Sequence, residues 1–212
     1  MNEADWLACT HTKAVLEVVR GTATDRQFRL LIVSCCRRVW NFLTDERSRT
    51  AVEVGERFAD GQATDDERQK AHLAAIEVRS LAGITAKYAV SGLARPGVMM
   101  VVDVAGQTAA CPPGEEYDPS KWEAESRVQS DLIRDIFGNP FRPAKLDVSR
   151  LTPVVIKLAQ AMYDERDFDR MLQLADALEQ RGCSDEMILN HCRAPGPHVR
   201  GCWVVDLVLG KK

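Results

Sequence analysis

Long apolar runs are missing from this sequence. No stretch approaches the roughly 20 apolar residues that a membrane-crossing helix requires, and the opening Met1-Asn2-Glu3-Ala4-Asp5 lacks the basic segment of a secretory leader. The expectation is a protein that stays in the cytoplasm and has no membrane partner. Neither sign of charge dominates: 28 Lys and Arg stand against 31 Asp and Glu, a net charge of −3, which argues against disorder and against a strongly polarised nucleic-acid binder. Aromatic residues are sparse at 6%, and no aromatic platform is interleaved with the basic ones. A Gly-rich phosphate loop, His-Glu-x-x-His and Gly-x-Ser-x-Gly are all absent. No catalytic residue is therefore assigned, and a non-enzymatic role is expected. The seven cysteines are odd in number, include the adjacent Cys35 and Cys36, and contain no Cys-x2-Cys pair. They do not form a secreted disulfide framework; reduced thiols of a cytosol fit them better.

What is present is helical periodicity. From Thr24, the residues Phe28, Leu31, Ile32, Cys35, Cys36, Val39 and Trp40 recur at three- and four-residue steps, which puts them along one side of a helix. Thr24 with Gln27 forms a capping box, and Thr64 with Glu67 and Ser120 with Glu123 repeat the pattern. Thr44 opens another helix that stops at Asp60-Gly61, with Val54 and Phe58 inward. The helix from Thr64 is expected to run through Leu73, Ile76 and Leu81 toward Gly83. Between Ile84 and Ala110 a helix broken near Pro96 is expected; the helix from Ser120 ends at Phe137-Gly138. Thr152-Pro153 is a helix entry, and the helix after it pairs with that of Phe168 to Leu178 as an antiparallel hairpin. A short helix from Ser184 to Arg193 and a last one from Trp203 complete the chain.

With 212 residues, 45% of them apolar, the chain has enough material for one sizeable core. The expected fold is all-α: a single domain over residues 1–212, built as a compact orthogonal bundle of about seven to nine helices, with partly solenoid-like stacking as the alternative. Cys111-Pro112-Pro113-Gly114 to Pro119 is expected as an exposed loop, because proline lacks the amide donor a helix needs.

Five segments carry a resemblance. They are Trp6-Leu7-Ala8-Cys9-Thr10; Cys35-Cys36-Arg37-Arg38; Asp45-Glu46-Arg47-Ser48-Arg49; Ile136-Phe137-Gly138-Asn139-Pro140-Phe141-Arg142-Pro143; and Gly196-Pro197-His198-Val199-Arg200-Gly201-Cys202-Trp203-Val204-Val205-Asp206. Together they resemble a large paralogous set of planctomycete proteins. Leu174-Ala175-Asp176-Ala177-Leu178-Glu179-Gln180-Arg181-Gly182 is similar to text of the related repeat-companion domain. The resemblance implies a bacterial, intracellular, multi-copy protein and brings no catalytic residues with it.

Five groups of residues could carry function. The leading expectation is a helical module that binds another protein through the turn and helix start at Gly196 to Trp203. The alternative is metal or anion binding by the C-terminal segment. Cys183, His191, Cys192, His198 and Cys202 are zinc-type ligands within 20 positions, although His191 and Cys192 diverge by about 100° on a helix; no cofactor is required by any motif, and zinc is the candidate. Arg193, His198, Arg200 and Trp203 flank a Pro-Gly-Pro turn that leads into a helix, an arrangement that attracts anions. Third, Arg26, Arg29 and Arg37 fall in an arc of about 80° opposite an apolar stripe and could meet nucleic-acid phosphates, a partner that the charge balance disfavours. A nucleophilic Cys/His dyad would require Cys9 to meet His11, or Cys35 to meet His72.

Overall fold

A computed structural model describes residues 1–112 and 114–211. Among the described residues there are twelve α-helices, three short 3-10 turns and no strand. In order they are α1 (Glu3–Ala8), α2 (Thr12–Val19), α3 (Asp25–Arg38), α4 (Glu46–Ala59), α5 (Asp65–Ala75), α6 (Leu81–Ala89), α7 (Val98–Ala110), α8 (Pro119–Phe137), α9 (Pro153–Glu165), α10 (Met171–Gln180), α11 (Glu186–Arg193) and α12 (Trp203–Leu209). The all-α expectation holds, with more helices than the seven to nine expected. One reason is that α5 stops early: the Ser80 hydroxyl accepts the amide of Gly83 at 3.0 Å and starts a new helix there. Gly83 is thus inside α6, and Leu73, Ile76 and Leu81 stay exposed while Ala71 and Ala75 face inward.

The capping boxes at Thr24 and Thr64 are formed on both sides, each satisfying two otherwise unpaired amides. Two other starts shift by a residue or two to aspartate, while the helix expected from Phe168 opens with a 3-10 turn and becomes α-helical at Met171. Asp45 rather than Thr44 caps α4, and Asp118 rather than Ser120 caps α8, with Pro119 in the first turn. A carboxylate both accepts the amide and suits the positive end of the helix dipole. In the loop before α8, Glu115, Glu116 and Tyr117 are exposed as expected; Pro113 lies outside the described residues.

The apolar interior is divided in two. The first cluster is built from residues of α1 to α8 around α3, whose Phe28, Leu30, Leu31 and Ile32 are all fully buried. Each such side chain contributes about 1.5–3 kcal/mol of transfer free energy. Helix α3 packs against α4, α6, α7 and α8, so it is a central rod and not one step in a sequential stack. The second cluster joins α9 to α12, with the α9–α10 hairpin as expected and α12 laid on α9.

Polar groups join the two clusters. Arg26 of α3 reaches Asp206 of α12 at 2.5 Å and Asp60 at 3.0 Å, and the Tyr163 hydroxyl of α9 donates to Asp60 at 2.9 Å. Buried pairs of this kind add little net stability but fix one arrangement, since any misplacement strands a charge.

Candidate metal centre

Asp135 sits in the last turn of α8. Leu132 and Ile136 lie three residues before and one after it, so the helical repeat that buries them carries the aspartate inward too, leaving its side chain 3% exposed. His191 is in the last turn of α11, a helix started by Asp185, whose Oδ1 accepts the amides of Met187 and Ile188 at 2.9 and 3.3 Å. His198 and Cys202 lie on the segment between α11 and α12. Gly201, at φ +96°, turns the chain there; a Cβ at this position would come within 2.7 Å of Leu30 Cδ1, so only glycine lets the segment seat against α3.

These elements bring four ligand atoms together. Asp135, His191, His198 and Cys202 each offer one, and all lie within 4.8 Å of one another. Asp135 Oδ1 is 2.7 Å from His198 Nδ1 and 3.1 Å from His191 Nε2, and the latter is 3.2 Å from Cys202 Sγ. The second oxygen, Asp135 Oδ2, accepts the amide of Val199 at 3.0 Å. His198 Nε2 is 3.1 Å from the carbonyl of Ala194, and the indole Nε1 of Trp203 donates to His191 Nδ1 at 3.1 Å.

The pattern of acceptors assigns the protons. Both nitrogens of His198 face groups that only accept, a carboxylate and a carbonyl, so both carry protons and the ring is an imidazolium. His191 accepts at Nδ1 from a donor-only indole, so its proton is on Nε2. Burial opposes the charge on His198, but the hydrogen bond and charge of Asp135 outweigh it and raise its pKa. Burial would likewise push Asp135 up, yet the hydrogen bonds from His191 and His198 bring it below the usual carboxylate range. Cys202 is held far above the ordinary thiol range by burial, then by the nearby Asp135 charge. Without a metal it is a thiol and no nucleophile.

Three of the five expected zinc ligands converge: His191, His198 and Cys202. Cys183 and Cys192 do not. Cys192 is turned about 100° from His191 and lies 1% exposed in the second apolar cluster, where Cys183 packs as well. Asp135 was missed, being 56 positions before His191 in sequence; the available signal was an aspartate on the buried stripe of an amphipathic helix.

The other expected groups are rearranged. Arg26, Arg29 and Arg37 do not share a solvated face, because α3 has helices packed on several sides. Arg26 is spent on Asp60 and Asp206; Arg29 is 1% exposed and donates to the Ala89 and Ser91 carbonyls at 2.7 and 3.0 Å; Arg37 reaches Glu56 at 2.6 Å. The anion group is split. Arg193 pairs with Glu179 at 2.6 Å on the surface, Arg200 lies over the Tyr163 ring with Nε 2.9 Å from Asp60, and His198 and Trp203 belong to the four-residue cluster. Gly196 to Trp203 is no free docking face: Arg200, Gly201 and Cys202 are buried and the rest half-buried. Cys9 contacts the backbone of His11, and His72 bonds to the carbonyl of Lys87 at 3.1 Å, so neither pair is a dyad.

No helix of the described residues is long and apolar enough to cross a membrane. No family model, curated protein or solved structure matches the chain.

Proposed function

We propose that this is a metal-binding helical protein in which Asp135, His191, His198 and Cys202 hold one divalent ion of the zinc class. The observation that carries the reading is the convergence of those four ligand atoms within 4.8 Å. Two imidazoles, a carboxylate and a thiolate are a mixed nitrogen, oxygen and sulfur set that favours zinc over magnesium or calcium. Ligands at about 2.0–2.3 Å from zinc stand roughly 3.3–3.7 Å from one another in a tetrahedron, so the 2.7–3.2 Å contacts must open and the wider separations, which reach up to 4.8 Å, must close.

The charges support it. A dication with one carboxylate and one thiolate is neutral, and so is the metal-free cluster, where Asp135 faces the His198 imidazolium beside a neutral thiol. Loading releases one proton from His198 and one from Cys202, while His191 only moves its proton from Nε2 to Nδ1. Coordination through Nδ1 leaves the Nε2 proton of His198 on the Ala194 carbonyl, the kind of outer hydrogen bond that orients ligating histidines. The role is structural: all four ligands come from the protein and join α8 of the first cluster to α11 and α12 of the second.

Elemental analysis of freshly purified protein tests this. About one zinc per chain is expected from the single four-ligand set, retained in Cys183→Ala and Cys192→Ala and lost in Cys202→Ser. A chain that carries no zinc, takes none up when zinc is added, and melts at the same temperature with and without chelator would end the proposal.

A further inference from the structure

We infer that the groove over Glu56, where Arg37, Arg166 and Arg200 converge, binds a small organic oxyanion: a carboxylate or phosphate carried on an apolar body. The groove has a volume of about 340 Å³, with Leu132, Phe168 and Val199 on its wall, a size and lining suited to a small ligand.

The charge there is unbalanced. Glu56 Oε2 accepts from Arg37 Nη2 at 2.6 Å and from Arg166 Nη2, its Oε1 accepts from Arg166 Nε at 3.1 Å, and Arg200 Nη1 stands 4.0 Å away. Behind it, Asp60 and Asp206 serve Arg26, Arg200 and Lys211. Among the described residues, five cations in this directly paired network meet three carboxylates, and Glu53 adds a fourth negative charge acting on Arg166 from farther off. Arg38 at the rim is already matched by Glu125 at 2.7 Å. One further oxyanion would reduce the surplus.

Two more observations place the anion. Arg37 Nε is buried without an acceptor, a donor that favours gaining one. Arg166 ends α9 at φ +55°, the one non-glycine with positive φ among the described residues, at a helix end where glycine is the ordinary choice. An arginine kept there delivers its guanidinium to Glu56 across the groove. The side chains of Arg37 and Arg166 are 30% and 44% exposed, so an entering ligand can reach both. A guanidinium pair also recognises planar and tetrahedral oxyanions by paired hydrogen bonds.

None of these arginines ligates the proposed metal, but His198 also lines the groove, so the titration is run on both metal-free and zinc-treated chain, and a failure of zinc binding alone leaves the arginine test standing. The test is calorimetric titration of the full chain with benzoate, phenyl phosphate, benzamide and inorganic phosphate. Benzoate and phenyl phosphate are expected to bind, benzamide to be silent, and inorganic phosphate to bind more weakly than its phenyl ester. Arg166→Gly relieves the left-handed backbone but leaves Glu56 to Arg37 and Arg200, so a modestly lower melting temperature is expected with the chain still folded, and binding should weaken about ten-fold or more. Arg37→Gln should weaken it as well. Equal binding of benzamide, unchanged affinity in Arg166→Gly, or no binding of either aromatic anion at millimolar concentration would overturn the inference.

Discussion

The indole N–H of Trp203 donates to Nδ1 of His191 across 3.1 Å, and this fixes the imidazole in the tautomer that keeps a proton where a metal would bind. Zinc on Nε2 requires the proton to move to Nδ1, where it would confront the indole donor. Trp203 is thus a brake on loading and an optical reporter of it. Trp203→Phe is expected to tighten zinc binding by about five-fold, the equivalent of one ordinary hydrogen bond of about 1 kcal/mol. Wild-type emission should shift as zinc is added. Weaker zinc binding in the variant, measured by competition with a chelating dye, would show that Trp203 supports the ligand instead.

At Gly55, α4 lies close against the backbone end of α6. A Cβ there would stand 2.5 Å from the carbonyl oxygen of Ala89 and 2.9 Å from its Cβ, and backbone cannot step aside. Alanine gains about 1 kcal/mol of helix propensity over glycine, but forcing two helices apart costs about 1–3 kcal/mol. The overlap is with backbone, so the cost wins, and Gly55→Ala should lower the urea midpoint. Gly21→Ala, with nothing within 4 Å of its added carbon, serves as the control and should be neutral or slightly stabilising. Equal midpoints for both would contradict the close approach.

Acid should unfold the protein through the charged layer between the clusters. Burial opposes ionisation of Glu56, yet the hydrogen bonds from Arg166 and Arg37 prevail and hold its pKa below the ordinary 4.5. Asp60 is lowered from 3.8 in the same way, by Tyr163 and Arg26 against burial. A folded pKa below the unfolded one gives stability that is present above the unfolded value and lost as pH falls through the folded one. Asp206 has the opposite sign: burial raises it above 3.8 despite Arg26, so its protonation relieves a cost. Two carboxylates against one leave a net loss below about pH 4.5. Glu56→Gln should be less stable at neutral pH and show a shallower fall in urea midpoint on acidification. An unchanged slope would remove Glu56 from the account.

Much of the architecture was legible because it is local. The Thr24 and Thr64 caps, the break near Pro96, the stop at Phe137-Gly138 and the Thr152-Pro153 entry all depend on neighbours within one helical turn. The helix after Thr64 was overextended because its larger apolar residues suggested a stripe; the smaller Ala71 and Ala75 are what the close packing of α5 buries. The arginines of α3 misled for a related reason. A helical wheel assumes one fully solvated side, and on a central helix packed by four others Arg29 is buried and Arg37 only partly exposed.

What the sequence alone determined is the all-α class, most of the helices after Thr24 and several of their caps, and a C-terminal stretch rich in ligand-type residues, since periodicity and capping act over three or four positions; α1, α2 and the break between α5 and α6 were not legible there. Only the tertiary structure decided which of those residues meet. It brought Asp135 to His191, His198 and Cys202, sent Cys192 into an apolar cluster, and tied Arg26 to Asp206, Arg29 to backbone carbonyls and Arg37 to Glu56. The direction of a side chain is set by its helix, but what it faces is set by which helices pack together, and that depends on burial summed over the whole chain.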